Sequence, residues 1–177
     1  NMERANQWDK LHDYLEEISK DILDDSTKIW TGNNIVDLIL NSKKKQADSE
    51  GIAFSIGSNM IGDVPFKDGE TISLLGNLLD NAIKFSDPNG TVSVDISDGS
   101  ECLSISVSNH GKDIPKDRIA HIFNKFYQAD ESHSSEGNGI GLAVVKKVCE
   151  LHGGAVSAKS ESGTTTFTVV LPKQQNM

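Results

Sequence analysis

Apolar residues recur along this chain with two different periods. From about Asn6 to Lys28, Trp8, Leu11, Tyr14, Leu15, Ile18 and Ile22 fall three and four apart with acidic residues between them, which predicts an amphipathic helix seeking a partner surface. Thr31-Gly32-Asn33-Asn34 interrupts that pattern, and Ile35, Val36, Ile39 and Leu40 open a second helix running to about Ala47. After the turn residues Ser49-Glu50-Gly51, the segment Ile52-Ala53-Phe54-Ser55-Ile56 alternates as a strand. A third helix begins near Asp68 and stops at Ser86-Asp87-Pro88-Asn89-Gly90, where the turn chemistry is strong. Thr91 to Ile96 and Leu103 to Val107 alternate again around Ser97-Asp98-Gly99-Ser100, which predicts an antiparallel hairpin. Asn109 to Gly139 is polar, with one short helix expected over Lys116 to Phe123. Ile140 to His152 returns to the helical period and closes at Gly153-Gly154, and Ala155 to Ala158 and Thr164 to Leu171 complete the strands. The expected fold class is α+β, a two-layer sandwich with helices on one face of a mixed, mainly antiparallel sheet and an amphipathic helix at the N-terminal end.

The third helix has an unusually specific polar stripe. At about 100° per residue, Asn77, Asn81 and Lys84 fall within roughly 60° of one another, and Ile72, Leu75, Leu79 and Ala82 are expected on the opposite, buried side. Amide oxygens can hold a hydrated divalent cation, and a lysine supplies a point charge for phosphate. Downstream, Gly137-Asn138-Gly139-Ile140-Gly141-Leu142 opens the next helix, so that backbone N–H groups and a helix N-terminus face an anion. Taken singly, the stripe reads equally as a solvated helix face, and a lone glycine-rich turn is a weak signal. Taken together they point to a magnesium-nucleotide site.

Bulk properties narrow the partners. A chain of 177 residues has room for one main domain, and a net charge of −9 argues against nucleic acid as the principal partner. The basic cluster Lys43-Lys44-Lys45 falls late in the second helix, where it is expected to complement the negative end of the helix dipole. Cys102 and Cys149 have neither metal-ligand nor redox-pair spacing, which fits a reduced compartment. No apolar run approaches the ~20 residues needed to span a bilayer, and no secretory signal is visible.

The order and separation of the two motifs resemble the ATP-binding domain of bacterial sensor histidine kinases, over about Gly32 to Pro172. That family belongs to a superfamily that also holds type II topoisomerases and heat-shock chaperone ATPases. Its pattern N-x-x-x-N-A-x-K followed by an aromatic residue is met by Asn77, Asn81, Ala82, Lys84 and Phe85. The resemblance implies a Bergerat-type sandwich that binds ATP with Mg2+, with Asn81 as the metal ligand and Lys84 near the phosphates. Asn77 stands where related ATPases often carry a glutamate that activates water. An amide cannot take up that proton, which favours phosphoryl transfer over hydrolysis and gives Asn77 and Lys84 the catalytic roles.

Three further segments resemble boxes of the same family. Ser108 to Pro115 resembles D-x-G-x-G-I, with Gly111 and Ile114 retained, Asn109 in place of the aspartate that accepts adenine's exocyclic amine, and Asp113 in place of the second glycine. Asn109 is expected to offer its carbonyl oxygen to the base, with its NH2 available to a ring nitrogen, and Lys112 or Lys116 to compensate Asp113. Ile122 to Tyr127 resembles the phenylalanine box anchoring a lid, expected over about Lys116 to Gly137, that orders on ATP with Lys125 reaching the phosphates. Gly137, Gly139, Ile140, Gly141 and Leu142 form an intact second glycine box, with N–H groups of Gly139, Gly141 and Leu142 as phosphate donors. Gly163 to Phe167 resembles a shortened G-x-G-T-x-F element that turns Thr165 toward adenine.

By that resemblance, residues 1–31 are the C-terminal helix of a dimerisation and histidine-phosphotransfer region, and residues 32–177 are the catalytic domain. His12 is then a helix-surface residue, although His12-Asp13-Tyr14 echoes the acceptor motif of some peptide-sensing kinases. The implied function is donation of the γ-phosphoryl of Mg·ATP to a histidine outside this chain, in a homodimer that signals to a response regulator. The implied location is cytoplasmic, with membrane contact only through other parts of a sensor. Two alternatives are a degenerate interaction module of the same fold and a serine kinase of the anti-sigma-factor type, against which the long N-terminal helix argues.

Overall fold

Helix α1 (Asn34–Ser49) starts where Asn33 accepts hydrogen bonds from the N–H groups of Ile35 and Val36, each at 3.2 Å. An Asn at this position satisfies donors that the first helical turn leaves without carbonyl partners. Just upstream, the N–H and hydroxyl of Thr31 both donate to Asp37 Oδ1, at 2.7 and 2.6 Å. Val36, Ile39, Leu40 and Ala47 are buried along one face of α1. The computed structural model describes residues 28–58, 61, 64–127 and 139–173. The expected N-terminal helix, His12, residues 128–138 of the expected lid, and Gly137 lie outside the described residues.

Helix α2 (Asp68–Lys84) is the centre of the helical layer. Its first turn is closed by Glu70, whose carboxylate accepts the Lys67 N–H at 3.1 Å. Thr71, Leu74, Leu75, Leu78, Leu79, Ala82 and Ile83 are all buried, a stripe wide enough to pack on α1, on the sheet and on a later helix at once. Ile72, expected on that stripe, is 48% exposed. It lies roughly 70° from the centre of the buried set, at the flank. The helix ends at Phe85, and the following turn places Asn89 in the left-handed region at φ 59°.

Five strands form one sheet in the order β1-β2-β3-β5-β4: β1 (Ala53–Ser58), β2 (Thr91–Asp98), β3 (Cys102–His110), β4 (Ala155–Glu161) and β5 (Thr164–Pro172). β1 pairs in parallel with β2, and the other three pairings are antiparallel, including the expected β2–β3 hairpin. Alternate residues Val92, Val94 and Ile96, Leu103, Ile105 and Val107, and Phe167, Val169 and Leu171 are buried under the helices. Among them the antiparallel register sets Val107 between Val94 and Phe167, a row of apolar side chains across the sheet. On the other face Ser108 and Thr166 pair their hydroxyls at 2.8 Å.

Helix α3 (Lys116–Ile119) is shorter than the expected helix to Phe123, because turns replace it from Ala120. Helix α4 (Gly141–Leu151) packs Ala143, Val145, Val148 and Cys149 inward and lies beside α2. The basic cluster departs from the dipole expectation: no basic residue occupies the last turn of α1, and Lys43 instead reaches Asp80 on α2. Among the described residues no helix is long and apolar enough to cross a membrane.

Candidate nucleotide-binding site

The asparagines of α2 are oriented by the helix that carries them. Asn77 Nδ2 donates to Ser73 O at 2.6 Å, and Asn81 Nδ2 donates to Asn77 O at 2.7 Å. A side-chain amide facing a carbonyl must present its NH2, so each Oδ1 is the acceptor left pointing away from the backbone. Such an oxygen suits a hard cation. Among the described residues no group of three or more His, Cys, Asp or Glu side chains could hold a metal ion. Lys84 is exposed one turn further on, its Nζ 5.5 Å from the centroid of the half-exposed Phe85 ring.

The second glycine box meets this helix at Asn77. A β-carbon built on Gly141 would lie 2.6 Å from Asn77 Oδ1, so only glycine lets the start of α4 come this close. Ile140 O accepts the Val144 N–H at 2.9 Å, which leaves the N–H groups of Gly141, Leu142 and Ala143 ahead of the intrahelical ladder. Gly139 has φ 62° and its carbonyl accepts the Phe126 N–H at 2.9 Å, tying the aromatic segment to the glycine box. Phe126 is itself left-handed at φ 64° and 74% exposed. Ile122 of that segment is buried, Ile140 is exposed at the mouth of α4, and Lys125 is exposed. No contact among the described residues joins Lys125 to Asn77, Asn81 or Lys84.

A second polar group lies at the C-terminal end of α2. Asn109 and Thr165, both buried, face each other across β3 and β5 in register. Asn109 Nδ2 donates to Phe85 O at 3.1 Å, which fixes the amide with Oδ1 as its remaining acceptor. One of the two N–H donors of that NH2 is thereby committed to the end of α2. Gly111 is held by the same carbonyl: a β-carbon there would lie 2.1 Å from Phe85 O. Ile114 is half-buried, and its N–H donates to Ser160 Oγ at 2.8 Å.

Asp113 is compensated by neither Lys112 nor Lys116. Its Oδ1 accepts the Gly163 N–H at 2.9 Å, and Gly163 O in turn accepts the Gly111 N–H at 3.0 Å. Ser160 was not singled out in the sequence, and Gly163 only as the first residue of the shortened G-x-G-T-x-F element. The signal was present: a two-residue turn at Ser162-Gly163 fixes the β4–β5 register, which sets Ser160 opposite Thr165. A groove lined by Lys159, Glu161, Ser162, Thr164 and Thr166 lies on the other face of this hairpin and touches none of the site residues above.

Two titrating groups depart from their ordinary values. The Lys67 N–H holds the Glu70 carboxyl below the usual glutamate range, with help from His152, whose Nε2 is 3.2 Å from Glu70 Oε2. Burial pushes the Cys149 thiol up to about 11.

Residues 69–175 match the family described as histidine kinase-, DNA gyrase B- and HSP90-like ATPase. The sensor protein VanS of Enterococcus faecium is 38% identical over 106 residues, covering 59% of this chain and 27% of that protein. The sensor histidine kinase WalK of Bacillus subtilis is 37% identical over 107 residues, covering 58% of this chain and 18% of that protein. The chain thus spans about a fifth to a quarter of the length of these relatives. Among solved structures, a mycobacterial sensor histidine kinase, MprB, superposes with a TM-score of 0.69 at 26% identity, over 78% of this chain and 93% of that one.

Proposed function

The chain belongs to the histidine kinase-, DNA gyrase B- and HSP90-like ATPase family, and from that premise we propose that it is the catalytic part of a sensor histidine kinase, passing the γ-phosphoryl of Mg·ATP to a histidine. The observation that carries this reading is the meeting of Asn77 on α2 with the N-terminus of α4 at Gly141. An amide oxygen stands there beside the N–H groups that precede the ladder of α4, an arrangement suited to a charged phosphate chain with its cation.

The residues divide the work by chemistry. Asn109 Oδ1 and Thr165 receive the adenine base, and Gly111, Ile114 and Phe85 shape its pocket. N–H groups at Gly139, Gly141 and Leu142 hold the phosphates, with Ile140 beside them. Lys84 adds positive charge, and Lys125 with Gly137 belongs to the segment that closes over the nucleotide. Asn81 Oδ1 would hold Mg2+, which when bound neutralises phosphate charge. Asn77, being an amide, orients without taking a proton, so water is not activated and the phosphoryl group is kept for the acceptor. Positioning and charge neutralisation supply most of the rate in such transfers.

The partners follow from the same reading: a phosphoacceptor helix of the full-length homodimer and a response regulator. The setting is cytoplasmic, with any membrane anchor in other parts of the protein. Incubation with radiolabelled ATP tests the assignment. Acid-labile label is expected on a histidine of the full-length protein when its acceptor segment is supplied, and none on the 177-residue chain alone. Label on His12 would place the acceptor within this chain, and no label on either would contradict the kinase reading.

A further inference from the structure

The loop after β3 is bound to the β4–β5 hairpin by a closed circuit of hydrogen bonds. Gly111 N–H donates to Gly163 O at 3.0 Å, Gly163 N–H donates to Asp113 Oδ1 at 2.9 Å, and Ile114 N–H donates to Ser160 Oγ at 2.8 Å. Ser160 Oγ then lies 2.7 Å from Thr165 Oγ1, and Thr165 pairs in register with Asn109, two residues before Gly111. The circuit therefore begins and ends on the two buried polar side chains assigned to the base. Two of its members, Asp113 and Ser160, are side chains that touch neither Asn77, Asn81 nor the start of α4.

We propose that Asp113 and Ser160 are positioning residues for the nucleobase: Asp113 clamps the loop to the hairpin turn, and Ser160 orients the Thr165 hydroxyl. This rests on the nucleotide reading above. In this arrangement Ser160, whose oxygen accepts from Ile114 N–H, donates its own proton to Thr165 Oγ1, the direction of this hydroxyl pair that leaves the Thr165 proton free to donate to a ring nitrogen. Asn109 Oδ1 then accepts from an exocyclic amine beside it. A donor next to an acceptor selects a base by difference, since a ligand lacking the matching pair leaves a buried polar group unpaired. The substitution of a carboxylate for the glycine of the resembling box is thus accounted for: the Asp113 side chain occupies the turn at Gly163, directed away from the phosphate site.

The test uses the whole chain and displacement of a bound fluorescent nucleotide by Mg·ATP or by inorganic tripolyphosphate, which has no base. Asp113→Ala and Ser160→Ala are each expected to weaken Mg·ATP about tenfold, by freeing the loop and the Thr165 hydroxyl respectively, and to leave tripolyphosphate within about twofold. Asp113→Asn and Ser160→Thr keep an accepting oxygen and are expected to restore most of the ATP affinity, which a merely destabilised fold would not do. Equal losses for both ligands, or unchanged ATP affinity in both alanine variants, would overturn the proposal. Failure of the unaltered chain to bind Mg·ATP would instead overturn the nucleotide reading beneath it.

Discussion

Gly141 stands against Asn77 so closely that a β-carbon on the glycine would lie 2.6 Å from Asn77 Oδ1. The N-terminus of α4 and the polar stripe of α2, far apart in the chain, are thereby brought together at Asn77. Gly111 makes a comparable approach to Phe85 O at 2.1 Å, but the atom it meets is backbone. The two glycines should therefore fail differently. Gly141→Ala pushes Asn77 off its bond to Ser73, at about 1 kcal/mol, and lowers nucleotide affinity tenfold or more. Gly111→Ala meets an atom that cannot swing away and costs about 3 kcal/mol or more. Denaturant midpoints and nucleotide titration of both variants check this; equal stability losses would contradict it.

Asn109 owes its side-chain type to Phe85. Because its NH2 donates to Phe85 O, a carboxylate in its place would set two acceptors against each other. Asn109→Asp, although it restores the residue usual in the resembling box, is expected to lower stability by about 1–3 kcal/mol. Urea unfolding at neutral pH reads this directly, and an equal or greater stability would show that the amide is not needed there.

Glu70 links the start of α2 to the end of α4 through His152, whose ring also meets Phe66 edge-on at a centroid distance of 4.9 Å. Its carboxyl titrates below the ordinary value of 4.5. A lowered folded pKa contributes stability that is present above the unfolded value and lost as pH falls through the folded one. Glu70→Gln should therefore lower stability at pH 7, where the ionised carboxylate contributes fully, and flatten the acid side of the profile below about pH 4.5, where the two curves converge. Thermal melts across that range decide it; an unchanged acid slope would count against the link.

How much of this was legible in the sequence depends on the range of the forces involved. Periodicity located α1, α2, α4 and the five strands, because burial of alternate or three-and-four-spaced residues is written locally. The short helix after Pro115 was overdrawn, since Ile119 and Ile122 match a helical spacing that the turns from Ala120 do not honour. Ile72 was misplaced because a wheel does not say how wide a neighbouring helix covers the stripe. Asn77 and Asn81 were found as an unusual polar face. The partners of Asp113, Asn109 and Ser160 were not, because each is distant in the chain: Gly163 in the β4–β5 turn, Phe85 at the end of α2 and Ile114 in the loop after β3.

Cys149 is fully buried in α4, and burial raises its thiol to about 11. The thiolate is the reactive form, so at pH 8 Cys149 should resist alkylation until the chain unfolds, whereas half-buried Cys102 at the edge of β3 reacts first. Mass spectrometry of briefly alkylated protein, native and in denaturant, gives the order. Labelling of Cys149 in the native chain at the rate of Cys102 would contradict the burial.

Calorimetric titration of ATP into the 177-residue chain, with and without magnesium and with GTP for comparison, bears most directly on the central claim. Binding that prefers ATP and strengthens with magnesium is expected, and Asn81→Ala should remove the magnesium-dependent part while leaving the fold intact. No binding at millimolar nucleotide, or magnesium dependence undiminished in Asn81→Ala, would contradict the account.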